Sequence, residues 1–335
     1  MPTIAKQSPV AASNGRVAPA TSVPGIVSAR SLKRSWQKVL IYGRQRVGKS
    51  TLSAQWPKPL LAIACEPREN GGADSLIGME GVDIAVCQLT ALSGEMEAGS
   101  LKVLSIYQQM KAAVDATGKC PYQTLTLDVT ALQSIVLAEI MGWSSVDTII
   151  KRPKRGESGG VGFPVYMERA TRMIGVLSKI ADLPCNVIFL GQEKDHNPAK
   201  DEDGNAVEGK LVRTAQERSF MSVSLGQGTT EWLQNACQYI HQLYMDAEVQ
   251  ATTTMVDVAG TPQQQTVYAQ TGRFVRRLRC AYHCNYAAGM TSSTASVVPE
   301  YIEADPLLAP IEQAKGMYDD LMRVVNGQKA LRGKY

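Results

Sequence analysis

The sequence predicts an α/β protein built on a doubly wound, mostly parallel sheet. Short apolar runs of strand length alternate with segments of helical length between residues 39 and 190. A glycine-bearing phosphate-loop pattern lies between the first run and the first helix. Polar residues directly follow three of the runs. In parallel sheets, ligand-binding and catalytic residues lie at the carboxyl ends of the strands. These observations place the candidate site at one edge of the sheet.

The first strand, residues 39–42, leads into the pattern G-x-x-x-x-G-K-[ST], which begins at Gly43 and ends at Ser50. Glycines at both ends let successive backbone N–H groups point into one anion-sized hollow, and a helix over residues 50–56 adds its positive amino end. Lys49 is expected to reach the β- and γ-phosphates of ATP, and the Ser50 hydroxyl to ligate Mg²⁺. The alternative is a turn that binds nothing. The predicted nucleotide-binding residues are Gly43, Arg44, Gln45, Arg46, Val47, Gly48, Lys49, Ser50 and Thr51.

Strands and helices alternate downstream of this loop. Four further strands are indicated by short runs rich in apolar and β-branched residues. They cover residues 59–65, 84–89, 122–128 and 186–190. Three helices are predicted between the later strands, over residues 101–116, 131–141 and 167–181. This alternation favours parallel pairing with helical crossovers.

Three of these strands end in polar residues that we expect to face the phosphate loop. Asp128 is predicted to hold Mg²⁺, with capping of the next helix by Asp128 or Thr130 as the alternative. Glu66 is placed to orient or deprotonate the attacking water, unless it is a solvated loop acid. Gln192 is expected to sense the γ-phosphate, or else to be a plain polar strand end. With Lys49, these residues form the predicted catalytic set.

The C-terminal part is predicted to extend the sheet. Strands are expected over residues 237–245 and 273–282, with a polar loop over residues 250–265 between them. Residues 305–332 are predicted to form an amphipathic helix that docks on this chain or on a partner. The second strand carries four arginines. One of them is a candidate arginine finger, which would stabilise the γ-phosphate bound to a neighbouring subunit. The alternative is that these side chains form a solvated face of the strand. They are Arg273, Arg276, Arg277 and Arg279.

Positive charge is concentrated towards the amino end of the chain. Ten lysines and arginines precede Glu66, the first acidic residue, in a chain whose net charge is +4. Residues 1–34 are predicted to be a flexible basic arm that touches nucleic acid or a neighbouring subunit, or only solubilises the protein. After the arm we expect an ATPase core over residues 35–246, a sheet extension over 247–304, and a C-terminal helix and tail over 305–335.

Two loops are candidates for DNA binding. A cluster of four cations, Lys151, Arg152, Lys154 and Arg155, is followed by several glycines and is suited to track a phosphate backbone. A solvated flexible loop is the alternative. The second candidate covers residues 193–230, which contain several cationic residues and one aromatic residue, Phe220, that could contact DNA. Several acidic residues in the same stretch argue against DNA binding there. Its stretch 201–205 has the composition of a hairpin turn.

The seven cysteines are scattered, and most lie in or beside apolar segments, which is typical of core thiols. Cys280, His283 and Cys284 are close in sequence, but a fourth metal ligand with suitable spacing is missing. No apolar run is long enough to span a bilayer, and no secretory signal begins the chain. The expected location is therefore a reducing cytoplasm, with no membrane partner.

In the order of these motifs the chain resembles the RecA-like recombinase core over about residues 36–246. Its short phosphate loop and the stretch Glu-Pro-Arg-Glu-Asn-Gly-Gly at 66–72 look more like phage-encoded RecA-fold ATPases, which are implicated in single-strand annealing and recombination. The resemblance implies phosphate and Mg²⁺ roles for Lys49 and Ser50, a catalytic carboxylate at Glu66, a Walker B acid at Asp128 and a switch at Gln192. Val129 directly after Asp128, and glutamine rather than histidine at position 192, depart from the pattern.

The resemblance implies an ATPase that binds single-stranded DNA in phage-type recombination, annealing or replication, in the host cytoplasm if the chain is phage-encoded. A ring or filament of identical subunits is expected, with a single-strand-binding or replication protein as a candidate partner. The main alternative is a nucleotide-gated assembly or packaging ATPase acting on protein partners. A small-molecule kinase is disfavoured because the chain lacks an obvious arginine-rich lid.

Overall fold

A mixed sheet of eleven strands runs through the part of the chain that the computed structural model describes. That part comprises residues 36–65, 72–87, 99–141, 163–195, 221–258, 261–281, 288–290 and 297–335. The strands are β1 Lys38–Gly43, β2 Leu60–Ala64, β3 Val82–Val86, β4 Thr124–Asp128, β5 Asn186–Asp195, β6 Met221–Val223, β7 Tyr239–Val258, β8 Thr261–Arg279, β9 Gly289–Met290, β10 Tyr301–Glu303 and β11 Gly333–Lys334.

The strand order is β11-β10-β8-β7-β1-β5-β4-β2-β3, with β6 beside β5 and β9 beside β7. Strands β7, β1, β5, β4, β2 and β3 pair with one another in parallel. The remaining pairings are antiparallel. β1, which leads into the phosphate loop, is therefore a central strand with a parallel neighbour on each side.

Helices cover both faces of this sheet. They are α1 Lys49–Ser53, α2 Ser100–Thr117, α3 Val129–Ile140, α4 Phe163–Ala181, α5 Gln227–Ala236 and α6 Pro310–Val325, with a 3-10 helix at Gly72–Leu76. Alternate residues of β1 point to opposite faces. Leu40 and Tyr42 join the core formed with helices α2 to α5, whereas Val39 and Ile41 join the core formed with α1 and α6. The predicted doubly wound, mostly parallel α/β fold is confirmed.

The core elements lie close to their predicted positions. Two strands differ most from their predicted bounds. β3 covers Val82–Val86 rather than residues 84–89, and β5 continues to Asp195 rather than ending at residue 190. The predicted C-terminal helix is shorter than expected, because it begins at Pro310 and ends at Val325. The short strand β6 and the helix α5 were not predicted. β6 pairs antiparallel with the end of β5. The hairpin turn predicted at residues 201–205 lies outside the described part and stays a prediction.

The prediction of a polar loop over residues 250–265 is wrong. β7 and β8 continue through this stretch and pair with each other in register from Val249 opposite Gln270 to Val258 opposite Thr261. The stretch is rich in Thr, Val and Gln, and β-branched residues suit a pleated ladder even where little apolar surface is buried. β7 also crosses residue 246, where the ATPase core was predicted to end.

Most of this hairpin extends beyond the sheet. β1 pairs with β7 over residues 239–242, and β10 pairs with β8 over residues 277–279. We call residues 246–258 and 261–275 the ribbon. Within the described part of the chain, the ribbon's two strands pair only with each other. It exposes Val249, Met255 and Phe274, whose exposed fractions are 49%, 67% and 64%.

Six cysteines are described, and all are free thiols. Cys65, Cys87, Cys185 and Cys237 are buried, as predicted for core thiols, and so is Cys280. Cys120 is partly exposed, so it does not fit that prediction fully. His283 and Cys284 lie outside the described residues, and the described part holds no cluster of side chains that could bind a metal. Among the described helices, none is both long and apolar enough to cross a membrane.

Candidate nucleotide-binding site

The predicted phosphate loop lies between the end of β1 and the start of α1. Arg46 and Gly48 both adopt positive φ angles, of 60° and 100°, so the backbone turns back on itself within six residues. Arg44, Gln45 and Arg46 form an exposed tip, while Val47 is buried beneath it. Gly48 then begins α1, because its carbonyl accepts a hydrogen bond from the Leu52 amide at 2.9 Å. The local geometry is that of a strand–loop–helix phosphate cradle.

The Lys49 side chain folds back over this loop. Its Nζ donates to the carbonyl oxygens of Gly43, at 3.0 Å, and Arg44, at 2.7 Å. These contacts hold the ammonium charge at the mouth of the loop, where a bound phosphate group would need it. Ser50 and Thr51 follow on the first turn of α1 and are both partly exposed.

Gly43 is required by close packing against β7. A Cβ atom at this position would lie 2.0 Å from the carbonyl oxygen of Leu243, a distance that no side chain can occupy. The first glycine of the motif therefore allows two backbones to approach, in addition to allowing the loop to turn.

The strand register brings two more predicted residues to the same edge of the sheet. Gly43 pairs with Gln192, and Asp128 pairs with Leu190, two residues before Gln192. The Gln192 amide donates to Thr130 Oγ1 at 2.9 Å, and its carbonyl accepts from Ser224 at 2.6 Å. The backbone at Gln192 is thus fixed from two sides beside the phosphate loop.

Asp128 also caps α3. Its Oδ1 accepts a hydrogen bond from the Ala131 amide at 2.8 Å, with Asp128 as the N-cap residue. The sequence offered helix capping by Asp128 as an alternative to Mg²⁺ binding, and the structure confirms that Asp128 caps α3. The predicted Mg²⁺ role stays a prediction.

Other predicted residues fall outside the described part of the chain. These are Glu66, the predicted catalytic carboxylate, and the predicted DNA-binding residues Lys151, Arg152, Lys154 and Arg155. Their roles stay predictions.

Comparison with known proteins supplies the family. A model of the family described as AAA domain matches residues 35–273, which is most of the chain and includes the whole phosphate loop. The chain belongs to the AAA domain family. No curated protein matches it in sequence. Among solved structures, a KaiC-like protein from the hyperthermophilic archaeon Pyrococcus horikoshii OT3 is similar, with 11% identity, 83% of this chain and 88% of that chain covered, and a TM-score of 0.32.

Just beyond the stretch matched to the AAA domain, three of the four β8 arginines have partners within the chain, which sequence reasoning did not foresee. Arg276 Nε donates to the Val47 carbonyl in the phosphate loop at 3.1 Å. Arg277 forms ion pairs with Asp246, at 2.5 Å, and Glu303, at 2.9 Å. Because 276 and 47 are 229 residues apart, no local pattern signals the contact. A finger reaching into a neighbouring subunit stays a prediction.

A second polar network lies at the same edge of the sheet. The buried Gln242, opposite Tyr42 on β1, donates to Glu193 Oε2 at 3.1 Å. Its Oε1 accepts from Arg279 Nε at 3.2 Å, and the same guanidinium bonds Glu300 at 3.3 Å. The network joins β5, β7 and β8 directly beside the loop, and its members are too far apart in sequence for spacing to reveal it.

The residues of this P-loop ATPase domain are suited to bind a nucleoside triphosphate together with Mg²⁺. The loop provides a left-handed glycine, an ammonium group and hydroxyls on the first helical turn. Asp128 adds a carboxylate at the end of β4, on the next strand but one from β1. Oxygen donors of this kind are the ligands that Mg²⁺ prefers, usually together with the phosphates themselves.

Proposed function

We propose that this protein binds ATP with Mg²⁺ at the phosphate loop and hydrolyses it. The observation that carries the proposal is the arrangement at the end of β1. The loop turns through positive φ angles at Arg46 and Gly48, and Lys49 donates to the Gly43 carbonyl. Gly43 pairs with Gln192 on β5, and Asp128 pairs with Leu190 on the same strand. Lys49 would neutralise the β- and γ-phosphates, and Ser50 and Asp128 would hold the cation. Glu66 is proposed as the group that orients the attacking water.

The test replaces Lys49 with alanine. Lys49→Ala removes the cation at the loop, so ATP binding should weaken strongly and turnover should disappear. Lys58→Ala is the matched control, because Lys58 Nζ also donates to a backbone carbonyl, that of Glu80, but precedes β2 at the opposite edge of the sheet. Calorimetric titration with Mg–ATP and a phosphate-release assay measure both steps. Turnover by Lys49→Ala at the wild-type rate would overturn the proposal.

We further propose that the ATPase acts on single-stranded DNA, as in phage-type recombination, annealing or replication. The support is the cluster Lys151, Arg152, Lys154 and Arg155 within a glycine-rich segment of the sequence. Each phosphate contact should contribute about −0.7 to the slope of log affinity against log salt. A ring or filament of identical subunits would let successive loops track one strand.

Fluorescence anisotropy with a labelled oligonucleotide tests this, with and without a slowly hydrolysed ATP analogue. Replacing the four cluster residues with alanine should lower affinity and flatten the salt slope while ATP still binds. The control removes four exposed cations from α2, α4 and the turn after α2, which changes the net charge equally. Those residues are Lys111, Lys119, Arg172 and Lys179.

The second candidate is an assembly or packaging ATPase that acts on protein partners. The ribbon favours it, because isolated two-stranded hairpins are marginally stable in water and this one exposes Val249, Met255 and Phe274. Absence of DNA binding at low salt, in both nucleotide states, would favour this candidate over the DNA proposal.

A further inference from the structure

Arg276 connects the C-terminal helix to the phosphate loop. Its Nε donates to the Val47 carbonyl at 3.1 Å, and its Nη1 donates to Gln313 Oε1 on α6 at 2.5 Å. Its own backbone is fixed by the Ala304 amide, which donates to the Arg276 carbonyl at 2.9 Å. A single side chain thus bridges β8, α6 and the loop.

The Val47 contact fixes the direction of the next backbone amide. The peptide bond is planar and trans, so the Val47 carbonyl and the Gly48 N–H point in opposite directions. Anchoring the carbonyl on Arg276 therefore turns the Gly48 N–H away from Arg276. A glycine at φ 100° has no side chain to restrict it, so this peptide needs an external restraint to keep one orientation.

Gln313 in turn fixes Arg276. It is 8% exposed, and its Nε2 donates to the Leu308 carbonyl at 2.8 Å while its Oε1 accepts from Arg276. Both ends of the amide are engaged, so its orientation is set. Arg276 also packs on Gly48, since its Nε lies 3.5 Å from the position that a Cβ atom would take there.

We propose that Arg276 is a positioning residue for the phosphate loop, holding the Val47–Gly48 peptide in the orientation that nucleotide phosphates bind, with Gln313 holding Arg276 in place. This inference rests on the proposed ATP binding at that loop. Through Gln313 and Arg276, the C-terminal helix α6 would contribute to the nucleotide site, although it begins 260 residues after Ser50. Arginine suits the task because its fork serves two acceptors and keeps its charge.

The experiment compares Arg276→Ala with Arg323→Ala. Arg323 Nε also donates to a backbone carbonyl, that of Lys329, at 3.1 Å, but in a loop after α6. Loss of a charge-assisted bond should weaken ATP binding roughly tenfold in Arg276→Ala and leave it unchanged in Arg323→Ala. Hydrogen exchange of nucleotide-free protein should rise in residues 43–53 of Arg276→Ala only, with residues 124–140 unaffected.

Two further variants separate positioning from general stability. Arg276→Lys should recover part of the affinity, because lysine can reach one acceptor but cannot match the fork. Gln313→Met should weaken ATP binding in the wild-type background and add little in Arg276→Ala, since both act through one contact. Wild-type affinity and wild-type loop exchange in Arg276→Ala would overturn this inference alone. Absence of ATP binding by the wild-type protein would overturn the proposed function with it.

Discussion

At the scale of single residues, Asp128 combines two tasks that substitutions can separate. Its side chain caps α3 through Ala131, and we propose that it also holds Mg²⁺. Asparagine retains a cap oxygen but not the charge, so Asp128→Asn should fold like the wild type and lose Mg²⁺-dependent turnover. Asp128→Ala should lose turnover and also about 1 kcal/mol of stability. Urea unfolding and a Mg²⁺ titration of phosphate release measure these effects. Undiminished turnover in Asp128→Asn would leave the residue as a cap only.

His241 is a buried titratable residue in β7. It is 0% exposed, its Nδ1 lies 3.2 Å from the Arg279 carbonyl, and its Nε2 has no partner within the described part of the chain. Burial lowers the pKa of His241 from its ordinary value of 6.5 to about 4. The folded protein therefore keeps this ring neutral at pH values where the unfolded chain protonates it.

This difference predicts a pH dependence of stability. Between about pH 6.5 and pH 4 the unfolded chain binds the extra proton, so the contribution of His241 is fully present above pH 6.5 and is lost as the pH falls. The slope should approach about 1.4 kcal/mol per pH unit. His241→Leu should make the free energy of unfolding less dependent on pH between 5 and 7. Identical slopes for the two proteins in urea titrations would contradict the assignment.

At the scale of elements, α6 is part of the nucleotide-binding core. Met317, Leu321 and Val324 pack in the same cluster as Leu52 and Trp56 from the segment after the phosphate loop. The Trp56 and Tyr318 rings lie 4.8 Å apart, centre to centre. The helix predicted from its apolar stripe therefore docks on its own chain.

Matched leucine truncations test this packing. Leu321 is 1% exposed, so Leu321→Ala should lower the free energy of unfolding by about 2–4 kcal/mol. Leu307 lies just before α6 and is 77% exposed, so Leu307→Ala should lower the free energy of unfolding by no more than about 0.5 kcal/mol. Chemical denaturation at neutral pH gives both values. Equal losses in the two variants would show that α6 is peripheral.

The elements that sequence reasoning found share a strong local signal. β1, β2 and residues 187–190 of β5 are short apolar runs that are mostly buried, and the phosphate loop has a fixed spacing of glycines. The ribbon lacks such a signal, because its sequence is largely polar and has no continuous apolar run. The contact of Arg276 with Val47 was not predictable for a different reason. It depends on β8 lying two strands from β1, and only the assembled sheet shows that.

At the scale of the whole molecule, the predicted N-terminal arm carries charge of one sign only. Residues 1–34 hold five of the chain's 35 cationic residues and no acidic residue. Residues 36–335 form one compact unit by their contacts. We expect the stability of that unit not to depend on the arm, whereas the electrostatics of the chain should.

Deletion of residues 1–34 tests this expectation. The net charge would change from +4 to −1, because five cations and no acid are removed. The melting temperature and the ATP affinity should stay at their wild-type values, whereas binding to single-stranded DNA should weaken and depend less on salt. Calorimetry and anisotropy measure the two halves of this prediction. Full DNA affinity after the deletion would mean that the segment only solubilises the protein.

The central place of β1 has a consequence for the order of synthesis. The partners of this strand are made late, since Gln37 bonds Asn186, 149 residues away, and Lys38 bonds Gln238, 200 residues away. At roughly 5–20 residues per second, a ribosome needs about 10–40 s to supply the second partner. For that time the nascent chain carries an unpaired apolar strand and an unformed phosphate loop, which is the condition that holdase chaperones relieve.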